Sequence, residues 1–169
     1  MTAIAWLTEP QQGALDFGSP RKGMLGRRRY PSGMSLSSVF AIASSGLAAA
    51  SLRLQVSADN VANVSSTGPL PDATNAASFP PAYVPQRVVQ VDVAGGGTAA
   101  TAGTVSPSYV PQFDPTAPFA DKNGQVAAPN VDLANEAVQQ VIARYEFAAN
   151  AKVLQVASET FKSLLDIKT

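Results

Sequence analysis

Few residues of this chain could perform covalent chemistry, because it contains no cysteine and no histidine. Nucleophilic systems built on Ser-His or Cys-His pairs are therefore excluded. Lys152 and Ser158 could formally make a Ser-Lys pair, but both fall on a predicted helix with no glycine-rich turn to expose a nucleophile. The run Gly95-Gly96-Gly97 lacks the Gly-Lys-Ser/Thr of a phosphate-binding loop. The sequence predicts that the chain is not an enzyme.

Three aspartates, Asp114, Asp121 and Asp132, could suggest a cation site. Their spacing does not fit an EF-hand loop. The run from Asp121 to Asn123 and Gly124 is typical of a turn. Without cysteine, disulfides and thiolate metal sites are impossible. We therefore expect neither a metal nor another cofactor.

The composition argues for structure and packing. Hydrophobic residues make up 46% of the chain and charged residues 14%, with a formal net charge of zero. No broad basic patch is implied, so nucleic acid is not an expected partner. No apolar run approaches the roughly 18 residues of a membrane span, so no direct span is expected. Much of the apolar share is alanine, which packs closely but buries little area, so burial within one copy should be modest.

A heptad pattern marks the predicted N-terminal helix, residues 36–64. Steps of four and three join Leu36, Phe40, Ala43, Leu47, Ala50, Leu54, Ser57, Val61 and Val64. This spacing is typical of a coiled-coil seam. At about 1.5 Å per residue the helix would be roughly 43 Å long, and it needs a partner to bury the seam. Gly68 and Pro69 then end the helical pattern.

The predicted C-terminal helix, residues 132–165, carries two apolar stripes. The first comprises Val138, Ile142, Tyr145, Ala149, Val153, Val156, Thr160, Leu164 and Ile167. The second comprises Leu133, Ala137, Val141, Ala148, Leu154, Phe161 and Leu165. One stripe can pair with the N-terminal seam, and we expect Leu47 and Leu54 to meet Val153 and Val156. The other stripe would then pack against other copies.

The segment between the helices is rich in proline and glycine. Residues 87–93 alternate, with Val89, Val91 and Val93 on one face, and predict a strand. Three glycines permit a reversal, and residues 101–109 can return as an edge strand. Prolines keep residues 109–126 extended, with a turn at Asn123 and Gly124.

These elements predict a mainly α fold. Two long antiparallel, coiled-coil-like terminal helices would flank a small β-hairpin and loop insert. The expected divisions are a helical segment at 34–68, the insert at 69–129 and a second helical segment at 130–169.

Residues 1–33 differ in composition from the rest. Pro10, Pro20, Pro31 and several glycines break any periodicity, so we expect disorder. A true start at Met34 is the simplest interpretation; the alternative is a real extension that touches an anionic partner. Arg28 and Arg29 before an apolar stretch are also compatible with a cleaved signal, but serines interrupt that stretch and the heptad runs through it.

Two groups of motifs can be compared with those of known protein families. The run Ser45-Gly46-Leu47, the run Asn60-Val61-Ala62-Asn63 and the pair Thr67-Gly68 resemble the N-terminal signature of flagellar axial proteins, namely rod, hook and hook-associated proteins. The C-terminal half resembles that of proximal-rod proteins of the basal body. Its matching features are Asp114-Pro115, Ala120-Asp121, Asn123-Gly124, Pro129-Asn130-Val131-Asp132, Glu136, Arg144-Tyr145-Glu146, Ala149-Asn150, Lys152-Val153-Leu154 and Leu164-Leu165.

The resemblance implies a structural subunit of the proximal rod that polymerises through its terminal helices and transmits torque. It also implies a place in the periplasm-spanning rod of the basal body, reached through the flagellar secretion apparatus without a cleaved signal. Implied partners are other rod subunits, further copies of the chain, and membrane-ring and export-gate proteins. Two alternatives stay open: another axial protein of the rod or hook, and a secreted coiled-coil adapter.

The residues expected to pack between subunits lie on both predicted helices. They are Leu36, Phe40, Leu47, Leu54, Asn60, Val61, Asn63, Val138, Ile142, Tyr145, Asn150, Val153, Val156, Phe161 and Leu164. For Asn60 and Asn63 a second interpretation is local capping of the helix end.

Overall fold

Along the chain, one long helix precedes two β-hairpins and a second long helix follows them. A computed structural model describes residues 36–74 and 76–167, which belong to one compact unit within Met34–Thr169. The helices are α1 (Leu36–Ala62) and α2 (Leu133–Asp166), with a short 3₁₀ turn at Ala76–Ser78. The strands are β1 (Gln86–Asp92), β2 (Thr98–Thr104), β3 (Tyr109–Phe113) and β4 (Gln125–Pro129). The expectations for residues 1–33 lie outside the described residues.

The three aspartates considered for a cation site shape the local backbone. Asp132 caps α2, where its Oδ1 accepts from Ala134 N at 2.9 Å. Asp121 Oδ1 accepts from the backbone N–H of Asn123 at 2.8 Å and so holds the predicted turn. Asp114 Oδ1 accepts from the Thr116 hydroxyl at 2.7 Å. These are the capping and turn roles common for aspartate.

The two helices contact each other through small residues. Those buried in the helices are Ala43, Ala49, Ala50, Val56, Ser57 and Asn60 in α1, and Ala143 and Ala157 in α2. The predicted seam is therefore only partly buried: Leu54 and Val61 remain 40% and 37% exposed. Small side chains let the helix backbones approach closely, which leaves the larger residues at the margin of the contact.

The β1–β2 hairpin lies along α1. Its glycine tip lies against the N-terminal half of the helix, where Thr98 N donates to Ser45 Oγ at 3.1 Å. The three valines predicted to share a face are exposed, with Val91 at 58%. The returning strand begins at Thr98 rather than at residue 101, because Val93 N bonds Gly97 O at 3.1 Å and closes the turn tightly.

A second hairpin, β3–β4, was not predicted from the sequence. Strand β4 is its buried member, with Val126 at 0% exposure. The free edge of β4 pairs with the loop after α1, where Gly68 and Ala127 exchange two backbone hydrogen bonds of 3.0 and 2.9 Å. Pro111 in β3 and Pro129 at the end of β4 obscured the strands, because proline usually argues against a paired strand.

The hydropathy of α1 differs from the sequence-based expectation. By length and composition Ser37–Ala62 could cross a membrane, with a mean hydropathy of 1.4. Serines and a glycine interrupt its apolar runs, but alanine, leucine and valine keep the average apolar. In the structure this helix supplies contacts to α2 and to the β1–β2 hairpin.

Candidate assembly surface

Asn60 joins three elements of the fold. Its side chain is 1% exposed. Its Nδ2 donates to Gln86 O and to Glu136 Oε1, each at 2.7 Å. Its Oδ1 accepts from Gln86 N at 3.0 Å and from the Tyr83 hydroxyl at 3.1 Å. The amide therefore uses both donors and both acceptor positions, and it ties α1 to the start of β1 and to the first turn of α2.

Arg53, one heptad earlier, makes a second link of the same kind. Its Nη1 donates to Glu146 Oε1 on α2 at 2.9 Å, and its Nη2 donates to Gln90 Oε1 on β1 at 2.6 Å. Between these two residues, Ser57 Oγ donates to Glu136 O at 3.0 Å. Polar contacts on α1 thus hold both α2 and the hairpin.

The Tyr83 phenol shares this polar cluster. Burial raises its pKa above the ordinary value of 10.0, and the nearby carboxylates of Asp59 and Glu136 raise it further. Each of these effects disfavours the phenolate. The hydroxyl consequently keeps its proton and donates it to Asn60.

An apolar groove runs along one side of the helix pair. It has a volume of about 590 Å³. Its lining residues are Ala50, Ser51, Leu54, Gln55, Ala58, Arg144, Phe147 and Ala148. Leu54 belongs to a row of large residues spaced by seven, Phe40, Leu47, Leu54 and Val61. Phe147 belongs to a similar row on α2, Leu133, Gln140, Phe147, Leu154 and Phe161.

A second apolar surface lies on α2. Along the first predicted stripe Tyr145 is 75% exposed and Leu164 is 55% exposed. Near its middle, a concavity of about 470 Å³ is lined by Val39, Ala149, Lys152, Val153, Val156 and Ala157. Exposed apolar area of this extent is typical of surfaces that bind another protein.

The residues predicted to pack between subunits differ in their burial in the structure. Asn60 is buried. Half-buried positions are Phe40, Leu47, Asn63 and Asn150. Exposed positions are Leu54, Val61, Val138, Ile142, Tyr145, Val153, Val156, Phe161 and Leu164. The side chain of Leu36 lies outside the described set.

One expected contact of the sequence analysis is wrong. Leu54 does not meet Val153 and Val156: it shares its groove with Phe147, while those valines share a concavity with Val39. The offset arises because the helices meet along small residues, which shifts the large ones aside. The capping interpretation fits Asn63, whose Nδ2 donates to Asp59 O at 2.9 Å.

Sequence reasoning missed the small-residue contact and the partners of Asn60. A signal for the contact was present, because Ala43, Ala50 and Ser57 recur every seven residues, as do Ala143, Asn150 and Ala157. Nothing comparable pointed to Gln86 or Tyr83, which lie in the insert.

Both helices fall in segments that match known protein families. Residues 40–69 match the family described as flagella basal body rod protein. Residues 122–167 match the family described as flagellar basal body rod FlgEFG protein C-terminal. Asn60 and Glu136, which bond each other in the structure, each lie in one of the matched segments.

Full-length relatives decide the family. The chain is 40% identical over 140 residues to the flagellar basal-body rod protein FlgC of Salmonella typhimurium, covering 78% of this chain and 94% of that protein. The chain belongs to the FlgC family of flagellar basal-body rod proteins. FlgC of Borreliella burgdorferi is 32% identical over 154 residues, with 79% and 98% covered. FlgC of Agrobacterium fabrum is 30% identical over 138 residues, with 78% and 94% covered.

Membership of the FlgC family makes the chain a structural rod subunit of the bacterial flagellar basal body. The family implies assembly with other components of that rod. The groove and the α2 stripe are two apolar surfaces of the described helices that are exposed in the single chain.

Proposed function

We propose that the chain is a subunit of the proximal part of the rod and that it polymerises through α1 and α2. The observation that supports this most is that Leu54 and Phe147, each a member of a row of residues spaced by seven, both line the groove. Leu54 and Phe147 are 40% and 47% exposed there. A neighbouring helix with the same seven-residue spacing could insert its side chains between those of the two rows, as in knobs-into-holes packing.

We infer further that α1 and α2 pair as an antiparallel coiled coil. Partner positions run in opposite directions along the two helices: Gly46 lies against Asn150, whereas Asn60 bonds Glu136. Seven-residue recurrence of the small contact residues supports the supercoiled arrangement.

The chemistry of the groove favours a helical, mostly apolar neighbour. Among its lining residues Arg144 alone carries a charge. The proposed neighbours are further copies, other rod subunits, and membrane-ring and export-gate proteins at the base of the rod. Interlocked helices of this kind would transmit torque as a shaft. The proposed route to the rod is export through the flagellar secretion apparatus without a cleaved signal.

A charge in the groove tests this proposal. Leu54→Asp should block addition of the subunit to the rod, because contact with a neighbour would bury an unpaired carboxylate. Leu54→Met should be tolerated, since such a swap conserves volume and costs below about 1.5 kcal/mol. The readouts are swimming, the amount of subunit in purified basal bodies, and the amount exported.

Ala48→Asp is the matched control, because Ala48 is an exposed residue of α1 outside the groove lining. It should leave assembly intact. Normal rods in cells carrying Leu54→Asp would contradict the proposed surface. Retention of that variant in the cytoplasm at normal levels would instead assign Leu54 a role in export.

A further inference from the structure

We propose that Asn60 sets the register in which α1 and α2 pair. Its amide makes four hydrogen bonds, and two of its three partners, Gln86 and Tyr83, belong to the insert. The third partner, Glu136, belongs to α2. A buried amide of this kind is well bonded in one alignment of the helices only, and a single buried asparagine is known to fix register in coiled coils.

The small apolar residues of the contact discriminate poorly between alignments. Its residues on α2, namely Ala143, Asn150 and Ala157, are spaced by seven and are small or medium in size. On α1 the corresponding positions are Ala43, Gly46, Ala50 and Ser57. At the alanine positions a slip of seven residues would replace one small residue by another, so within the helix contact the fit of Asn150 against Gly46 is the main steric feature that opposes it.

Asn60 would lose its partner in such a slip. A shift in one direction brings Ala143 to the position of Glu136, and alanine offers no acceptor for Nδ2. Arg53 would lose Glu146 as well, but its side chain is 16% exposed and retains Gln90 and solvent as partners. Asn60, at 1% exposure, has no access to water to compensate.

Disulfide trapping can measure the register, because the chain contains no cysteine of its own. A Cβ built on Gly46 would lie 2.7 Å from Asn150 Cγ, so Gly46→Cys with Asn150→Cys reports the native alignment. Gly46→Cys with Ala143→Cys or with Ala157→Cys reports a slip of seven residues in either direction. Initial oxidation rates are measured on the dilute, monomeric full chain for each pair.

With Asn60 present, the native pair should oxidise about tenfold or more faster than either slipped pair, as the loss of a buried hydrogen bond implies. Asn60→Leu should raise the rate of at least one slipped pair to that of the native pair. Asn63→Leu is the matched control and should change none of the rates, because the side chain of Asn63 bonds Asp59 O in the last turn of α1 and the Ser66 hydroxyl in the loop that follows.

Two results would overturn the proposal. In the first, Asn60→Leu leaves the native pair dominant by the original factor, so another residue sets the register. In the second, Asn60→Leu abolishes oxidation of all three pairs, so Asn60 is needed for pairing itself and not for its alignment. Glu136→Leu provides an independent arm from the other helix and should shift the rates in the same direction as Asn60→Leu.

Discussion

Gly46 of α1 lies directly against Asn150 of α2. A Cβ built on Gly46 would stand 2.6 Å from Asn150 Oδ1, closer than side-chain atoms approach without a shift. Asn150 is held in place because its Nδ2 donates to Glu146 O at 2.8 Å. A glycine inside a helix lowers stability by about 1 kcal/mol relative to alanine. The close contact with Asn150 explains why a glycine nevertheless stands at position 46.

Replacing Gly46 therefore has an effect that depends on Asn150. Gly46→Ala alone should stabilise the chain by clearly less than the helix-propensity gain of about 1 kcal/mol, because the new methyl displaces the amide of Asn150. In an Asn150→Ala background the full gain should appear. A double-mutant cycle from urea unfolding measures the coupling. A gain of about 1 kcal/mol in both backgrounds would show that the contact imposes no restriction.

The ion pair between Arg53 and Glu146 should contribute modestly to stability. Glu146 is 40% exposed, so Glu146→Gln should lower the free energy of unfolding by about 0.5–1 kcal/mol. The loss should shrink in roughly 1 M sodium chloride, where screening is strong. Glu159→Gln is the control, since Glu159 bonds Gln155 of its own helix. An effect of Glu146→Gln that is unchanged by salt would argue against a charge-based role.

At pH values above the ordinary pKa of tyrosine, the free energy of unfolding should depend on Tyr83. Its pKa is raised in the folded chain, so the folded state holds the proton more tightly than the unfolded state. The associated stability is present below the unfolded value of 10.0 and declines as the pH rises through the folded value. Urea unfolding between about pH 9 and pH 11.5 should show a steeper decline for the wild type than for Tyr83→Phe. Equal slopes would contradict the prediction.

Val126 should be the most sensitive position of the second hairpin. It is 0% exposed, so Val126→Ala should destabilise the chain by about 1–3 kcal/mol through lost burial and a cavity. Val91→Ala removes the same atoms from a side chain that is 58% exposed and should change stability by less than about 0.5 kcal/mol. Thermal unfolding of the two variants provides the comparison. Similar losses for both would mean that the two valines share the same degree of burial in solution.

Local signals made the helices predictable. The heptad pattern of α1 and the capping aspartate Asp132 of α2 act over a few residues, and all four helix ends lie within two residues of the predicted limits. The β3–β4 hairpin was not predictable in this way, because Pro111 and Pro129 argue against paired strands. The bridge from Ala127 to Gly68 could not be predicted either, because its two residues lie far apart in sequence and leave no periodic pattern near the strand.

Part of the candidate surface was also predictable from local periodicity. Large apolar residues such as Leu54 and Tyr145 were identified by their periodicity, and both are exposed in the single chain. The role of Asn60 could not be derived from its neighbours, because Gln86 and Glu136 meet it only once the insert has folded back. Sequence patterns also overstate the part of large residues in a contact where alanine and glycine allow closer approach.

The central position of α1 has a consequence for the order of folding. Among the named elements, α1 alone contacts both α2 and the β1–β2 hairpin. Its bonds to α2 span 76 residues at Asn60 and 93 residues at Arg53, and contacts of such separation form late because long loops must close first. During synthesis α1 therefore waits for α2 to emerge. A chain released early would carry α1 without that partner, and its uncovered side would be prone to aggregation.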